Sequence, residues 1–403
     1  MICRACKHPD VFMYLPLGLH PPANAFLRAD QLNQQELAYE LDTHVCLNCG
    51  LVQIPDQIPA GFFEHYLYIP SASDTMQRHF ADFASRIREK FLSDSESLLV
   101  DIGCNDGLFL SSAHGMGIRT LGIDPAANIA DLARQKGLNV VTRYFGAETA
   151  ATVLAAHGPA KVIVTTNTLN HVDDLHGFMK GIDTLLANDG VFVVEVPQAL
   201  TFVEHNEFDT IYHEHLSVFS VKSLVELYGF FGMSIFDIEN LDVHGGSMRV
   251  YARRGPEEPS TVRAWLERES GAKLFDPGTY QRAAKQAANI RDTLVRLLDR
   301  IKTENKRVAG YGAPAKGNTL LNFCRVGPER LDFLVDRNSL KHGLFSPGMH
   351  IPIVGPERLV ADPPDYLLLL AWNFADEIIR QQSEFRDRGG KFILPIPEPK
   401  VIH

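Results

Sequence analysis

The segment Ile211-Tyr212-His213-Glu214-His215-Leu216 sets four hydrogen-bonding side chains in consecutive positions, soon after an apolar run from Val191 to Val196. A histidine beside a carboxylate has a pKa near neutrality and a partner to orient it, which is what abstraction of a proton by a general base requires. The segment holds no cysteine and no Gly-x-Ser-x-Gly elbow, so it offers no nucleophile for acyl transfer. The competing reading is a solvated turn, since histidines are often exposed. Asn167-Thr168-Leu169-Asn170-His171 follows another apolar run, Val162 to Thr166, at the kind of strand end where open α/β sheets bind ligands. His171 is there either a second reacting group or a surface or capping histidine.

Some hundred positions before the tetrad, Leu98-Leu-Val-Asp101-Ile-Gly103-Cys-Asn105-Asp-Gly107 runs from an apolar stretch into a glycine turn. A dinucleotide fingerprint needs glycine where Asn105 stands, because a pyrophosphate approaches the backbone there. The turn still suits a cofactor without phosphates. Asp124, 21 positions after Gly103, is placed at a strand end to bind ribose hydroxyls. S-adenosylmethionine meets that description, with Asp101, Gly103, Asn105, Gly107, Asp124 and Asn167 as the residues to hold it; the alternative is a tight turn with no ligand.

Cys3-x-x-Cys6 and Cys46-x-x-Cys49 form two knuckles whose thiolates suit structural, tetrahedral zinc, Zn2+. Gly50 fits the tight turn after the second knuckle. The interval 7–45 is longer than the roughly 15 to 20 residues of compact zinc ribbons, so an insertion lies between the knuckles. Reduced, unpaired thiols or a redox pair are the other possibilities. Residues 1 to about 75 are rich in proline and glycine and build little core alone, so the metal would supply what the core lacks.

Around these groups the pattern alternates. A helix is expected from about Thr75 to Leu92, where Phe80, Phe83, Ile87 and Phe91 recur at helical spacing. Short apolar strands follow at Leu98–Gly103, Thr120–Asp124, Asn139–Thr142, Lys161–Thr166 and Val191–Val196. With helices between them they make a parallel, doubly wound sheet. Strands at Ser234–Ile238 and Ser247–Arg253, joined through His244-Gly245-Gly246, give it an antiparallel ending. Residues 255–275 read as a connection, and a long helix carries Tyr280, Ala287, Ile290, Leu294, Leu297 and Ile301 on one stripe. A second, smaller α/β unit begins at Gly310-Tyr-Gly312-Ala-Pro314-Ala-Lys316-Gly317. Its backbone N–H groups and Lys316 could take the diphosphate of a nucleotide, or the turn could be scaffold only.

The chain has 403 residues and a formal charge of −10. That length predicts two or three domains, and the acidic balance argues against nucleic acid as a partner. No apolar run is long enough for a membrane span and the start lacks the apolar region of a signal peptide, so no membrane and a cytoplasmic location are expected.

Taken in series, the paired knuckles, Asp101-Ile-Gly-Cys-Asn-Asp-Gly107, Tyr212-His-Glu-His215, His244-Gly-Gly246 and the turn from Gly310 to Gly317 with Asn-Thr-Leu after it resemble the sugar carbon-3 methyltransferases of deoxysugar biosynthesis, those of tetronitrose biosynthesis among them. The likeness runs over essentially the whole chain. It implies an α/β protein with a zinc-binding domain at 1–75, a class I, Rossmann-like S-adenosylmethionine domain at 76–255 and a Rossmann-like domain at 256–403 that helps bind a nucleotide-linked 4-keto-deoxysugar. By motif, Tyr66, His171, Tyr212, Glu214 and His215 fall on active-site positions, with His244, Gly312 and Lys316 toward the substrate. Pro314 departs from the small residue, such as alanine, expected there. The implied reaction removes a proton from carbon 3, acidified by the carbon-4 ketone, and the enolate takes the sulfonium methyl. His215 is then the base and Glu214 its orienter or a ligand to hydroxyls, while Tyr212, Tyr66 and His171 donate around the ketone. Two rival readings remain at this point: a nicotinamide-dependent oxidoreductase of sugar nucleotides using the second glycine turn, and a non-catalytic, zinc-stabilised binding protein.

Overall fold

A computed structural model describes residues 1–55, 71, 74–92, 94–241, 245–257 and 259–402. The strand Leu98–Ile102 is buried along its whole length, as an apolar strand covered on both faces must be. It pairs in parallel with Arg119–Ile123 on one side and Ala160–Thr166 on the other. Val140–Val141 adds beyond the first and Leu186–Pro197 beyond the second. Ser247–Arg254 then pairs antiparallel with Leu186–Pro197, and Met233–Leu241 antiparallel with Ser247–Arg254. The hairpin read from the sequence therefore folds back, its second strand lying inside its first. The burial explains the order: Ser247–Arg254 is buried at six successive positions, whereas Met233–Leu241 is buried only intermittently, as suits an edge.

The helix Asp74–Phe91 lays Met76, Phe80, Phe83 and Ile87 on this sheet. Residues 255–275 are not a plain connection: Ser260–Gly271 is a helix. Its stripe is hard to see because only Val262 and Glu269 are buried, and Glu269 is a carboxylate. That carboxylate accepts from Val221 N at 2.5 Å and Lys222 N at 3.1 Å, at the start of the helix Val221–Gly229, where unpaired backbone donors favour an anion. The long helix Pro277–Thr303 starts with Asp276 accepting from Gly278 N and buries Tyr280, Ala287, Ile290, Leu294, Leu298 and Ile301. Leu298, rather than the expected Leu297, is the fully buried member.

The carboxy-terminal sheet has the order Ile353–Val354, Leu334–Val335, Val308–Tyr311, Tyr366–Leu369, Lys391–Leu394, Lys400–Ile402; only the last pairing is antiparallel. Pro314 stands just before the helix Ala315–Cys324, where a missing N–H costs nothing.

The amino-terminal strands Val11–Leu15, Thr43–Cys46 and Val52–Gln53 are joined in one sheet by Ser217–Val218, which follows the tetrad. One apolar core accordingly contains Leu15 and Ile54, Ile211 and Leu216, Leu294 and Leu320 together. The tetrad lies where the three parts of the chain meet. Among the described residues no helix is long and apolar enough to cross a membrane.

Candidate active site and metal centre

The tetrad is divided by its own backbone. Tyr212 and His215 stack with ring centres 3.8 Å apart, and the Tyr212 hydroxyl lies 2.5 Å from His215 Nε2. His215 Nδ1 lies 2.9 Å from the Thr210 carbonyl oxygen. A carbonyl can only accept, so Nδ1 carries the proton, and Nε2 is the lone-pair nitrogen to which Tyr212 donates. Thr210, invisible as a site residue in the sequence, is thus the group that orients His215.

Glu214 does not serve that purpose. Its side chain is fully buried, Oε1 accepts from Asn24 Nδ2 at 3.0 Å, and Oε2 has no donor among the described residues. Asn24 belongs to the interval between the knuckles, so the insertion carries a residue to the tetrad; nothing in its type or spacing pointed there. His213 turns away, its Nε2 donating to the Tyr39 carbonyl at 3.1 Å. His171 comes back to the cluster: its ring meets that of His215 edge-on at 4.9 Å, and its Nδ1 donates to the Glu214 carbonyl at 2.5 Å. Loss of solvation pushes His171 down to about 4, so it is neutral at working pH. Tyr66 and His244 lie outside the described residues.

Burial pushes Glu214 up to about 7, with the Asn24 amide pulling the other way. Between that value and the ordinary 4.5 the folded chain holds a proton that the unfolded chain has lost, so this group makes stability fall as pH rises through the interval. Glu214→Gln should therefore be more stable than the parent at pH 8, by on the order of 3 kcal/mol, with the difference fading toward pH 4. Denaturant melts at both pH values check this, and a difference independent of pH would refute it.

The cofactor candidates gather at the carboxyl edge of three adjacent strands. Gly103, Asn105 and Gly107 have φ of +75°, +50° and +76°, and Asn167, directly after Ala160–Thr166, has +51°. A Cβ at Gly103 would sit 2.0 Å from Thr168 Oγ1, so only glycine lets the two strand ends close on each other. Asp124 accepts from Asn105 N and from Ala126 N, each at 2.9 Å, and so fixes the turn it was expected to serve. Asp101 is buried, its Oδ1 without a donor among the described residues. Burial first, then the nearby Asp124 and Glu195, push it up to about 8.

A further group was missed. Glu195, buried in its strand, accepts from Arg249 Nη2 at 2.6 Å and pairs with His79 Nε2 at 2.8 Å, while Arg249 also reaches Glu239 at 3.0 Å. This network ties the helix Asp74–Phe91 to the sheet beside the edge where the cofactor candidates gather. The signal was available, since a glutamate inside the apolar run Val191–Val196 must find a buried cation.

In the second glycine turn Gly312 has φ +87°, and Ala313 N donates to Asp336 Oδ2 at 2.8 Å. Lys316 Nζ lies 4.0 Å from the centre of the Trp372 ring.

The four cysteines converge. Cys3 and Cys49 sulfurs are 3.6 Å apart, Cys6 and Cys46 sulfurs 3.6 Å, and all four lie within 4.8 Å of one another. A tetrahedron with zinc–sulfur bonds of about 2.3 Å has edges of about 3.8 Å, so the donor set fits the ion. Lys7 (φ +61°) and Gly50 (φ +77°) follow the knuckles equivalently, their N–H groups donating to Cys3 O and Cys46 O. Lysine there gave no hint of a turn in the sequence.

Three family models match in series: "Putative zinc binding domain" over residues 3–62, "Methyltransferase domain" over 75–235 and "C-methyltransferase C-terminal domain" over 242–397. The C-methyltransferase NovU of Streptomyces niveus is 36% identical over 404 residues, covering 99% of this chain and 96% of that protein. Among solved structures, the magnesium protoporphyrin IX methyltransferase of Synechocystis PCC 6803 with bound SAM is 14% identical at a TM-score of 0.34, covering 44% of this chain and 79% of its own. Geranyl diphosphate C-methyltransferase from Streptomyces coelicolor A3(2) is 13% identical at 0.35, covering 47% and 85%.

Proposed function

The chain belongs to the C-methyltransferase family that includes NovU, and from that premise we propose that it methylates carbon 3 of a nucleotide-linked 4-keto-6-deoxyhexose, with S-adenosylmethionine as donor. Family membership favours this over the oxidoreductase and the non-catalytic binding readings. The observation that carries the mechanism is the Tyr212–His215–Thr210 chain of hydrogen bonds, which leaves Nε2 as the basic nitrogen.

When bound, S-adenosylmethionine supplies an electrophilic methyl group. Asp101, the turn Gly103–Gly107, Asp124 and Asn167 are the residues to hold it. Tyr212 has two duties in succession. At rest its O–H satisfies His215 Nε2; with substrate present it passes to the carbon-4 oxygen, and the released lone pair takes the proton from carbon 3. The oxyanion that forms on carbon 4 then has its donor at the moment charge develops. His171, held neutral with its one ring proton directed to the Glu214 carbonyl, packs beside the pair and adds no charge, and Glu214, pushed up to about 7 by burial, is a ligand for substrate hydroxyls.

The test is incubation with S-adenosylmethionine and a panel of nucleotide-linked 4-ketosugars, with the new methyl located by NMR. Carbon 3 is the expected position. Carbon 5 is equally acidified by the ketone, so a methyl there would overturn the position and retain the enolate; no transfer to any 4-ketosugar would sink the reading. For the cofactor edge, Asp124→Ala should weaken S-adenosylmethionine binding by about 1 to 3 kcal/mol, the cost of losing a charged acceptor. Unchanged affinity by titration calorimetry would place the cofactor elsewhere.

A further inference from the structure

Three residues before the acid–base pair, a second set of charged groups converges from two parts of the chain. Asp209 Oδ2 accepts from Trp372 Nε1 at 2.6 Å, and Lys316 Nζ stands 4.0 Å from the centre of the same indole ring. Glu207 is 3% exposed and Asp209 fully buried, yet among the described residues neither Glu207 Oε1 nor Asp209 Oδ1 receives a hydrogen bond. Among the described residues the nearest basic nitrogen to Glu207 Oε1 is His205 Nδ1, at 3.6 Å. Lys316 makes no ion pair within 4.0 Å among the described residues, although its charge pulls against the rise that burial causes in both carboxyl pKa values. Gly245, at φ +94°, passes directly over Glu207: a Cβ there would lie 2.6 Å from Oε1, so the turn after His244 closes on the carboxylate only as glycine.

We propose that Glu207, Asp209, Lys316 and Trp372 receive a hydroxylated sugar ring of the nucleotide-linked substrate, rather than its diphosphate. The inference rests on the sugar-nucleotide reading above and refines it. Above about pH 7, the value to which burial pushes Glu207, two carboxylates against one ammonium give a local field that repels a diphosphate. A hydroxyl, in contrast, donates to a carboxylate and accepts from the ammonium, and the face of a sugar ring packs on indole. Buried acceptors left without donors are costly, so a ligand that supplies donors gains from satisfying them. Asp209 directly precedes Thr210, whose carbonyl oxygen lies 2.9 Å from His215 Nδ1, so the two sets of groups are neighbours along the chain.

The two assignments of Lys316 predict opposite signs. The probe is the tightest binder among UDP-, GDP- and dTDP-linked glucose, with inorganic pyrophosphate beside it, measured by titration calorimetry on the full chain. If the carboxylates accept hydroxyls, Glu207→Gln and Asp209→Asn should each weaken binding of the sugar nucleotide by at least about tenfold and leave pyrophosphate unaffected. If Lys316 holds the diphosphate, removing either negative charge should tighten both ligands, and that result would overturn the proposal, as would unchanged affinity. S-adenosylmethionine binding reports on folding in every variant; should Asp209→Asn fail that check, Glu207→Gln carries the test. Trp372→Phe keeps a ring and removes the N–H that holds Asp209, and it should weaken the sugar nucleotide but not pyrophosphate. A parent protein that binds none of the sugar nucleotides would sink the underlying substrate reading instead.

Discussion

His215→Asn should leave the fold and S-adenosylmethionine affinity intact while lowering turnover by about 100-fold or more, the usual contribution of a general base. Asparagine can keep a donor toward the Thr210 carbonyl, which His215 Nδ1 now serves at 2.9 Å. What it lacks is the lone-pair nitrogen that holds the Tyr212 hydroxyl. The same loss should appear in exchange: without methyl donor, the parent should wash deuterium from solvent into carbon 3 of the ketosugar, and the variant should do so far more slowly. Tyr212→Phe separates the two duties assigned to the phenol. It removes the oxyanion donor but leaves Nε2 basic, so turnover should fall while part of the exchange survives. Near-parental turnover in His215→Asn would pass the role to Glu214 or His171, and equal loss of binding and turnover would make His215 structural.

The second large effect concerns the metal. Purified protein should contain about one zinc per chain, and Cys46→Ser should lose it. Structural zinc contributes on the order of 10 kcal/mol to small zinc folds. Here the ligands head a sheet whose strands Val52–Gln53 and Ser217–Val218 are only two residues long. Without the ion, four sulfurs within 4.8 Å of one another have no cation to hold them. The variant should therefore melt lower. It should also lose turnover, because Asn24, which bonds Glu214, and Tyr39, which bonds His213, both lie in the interval between the knuckles. Metal-free protein that melts and turns over like the zinc form would remove the assignment.

What could be read from the sequence was whatever depends on neighbours in the chain. The strand Leu98–Ile102 with its glycine turn, the stripe of Pro277–Thr303 and the spacing of the two knuckles are local patterns, and each is found where its period or spacing placed it. The partners of the tetrad were not legible, because they are fixed by long-range packing. Asn24 is an ordinary asparagine in a loop until Glu214 arrives beside it, and Thr210 acts through a backbone carbonyl that any residue type possesses. Trp372 and Asp209 read as unrelated residues until the fold brings the indole N–H to the carboxylate. The helix Ser260–Gly271 was missed for a different reason: its buried side includes a carboxylate, Glu269, so its apolar period is broken by a residue spent on capping another helix.

The pairing of Ser217 with Gln53 also bears on how the chain is made. During synthesis the cysteine-bearing segment emerges well ahead of the strand that completes its sheet, which follows more than 160 residues after Gln53. Until then Val52–Gln53 presents an open edge, the kind of surface on which nascent chains pair wrongly. Early capture of zinc by Cys3, Cys6, Cys46 and Cys49 would hold the three earlier strands in register through that interval, and closing a loop of this length makes the final pairing a slow step. Zinc supply during translation should thus govern the yield of correctly folded chain more than zinc added after purification.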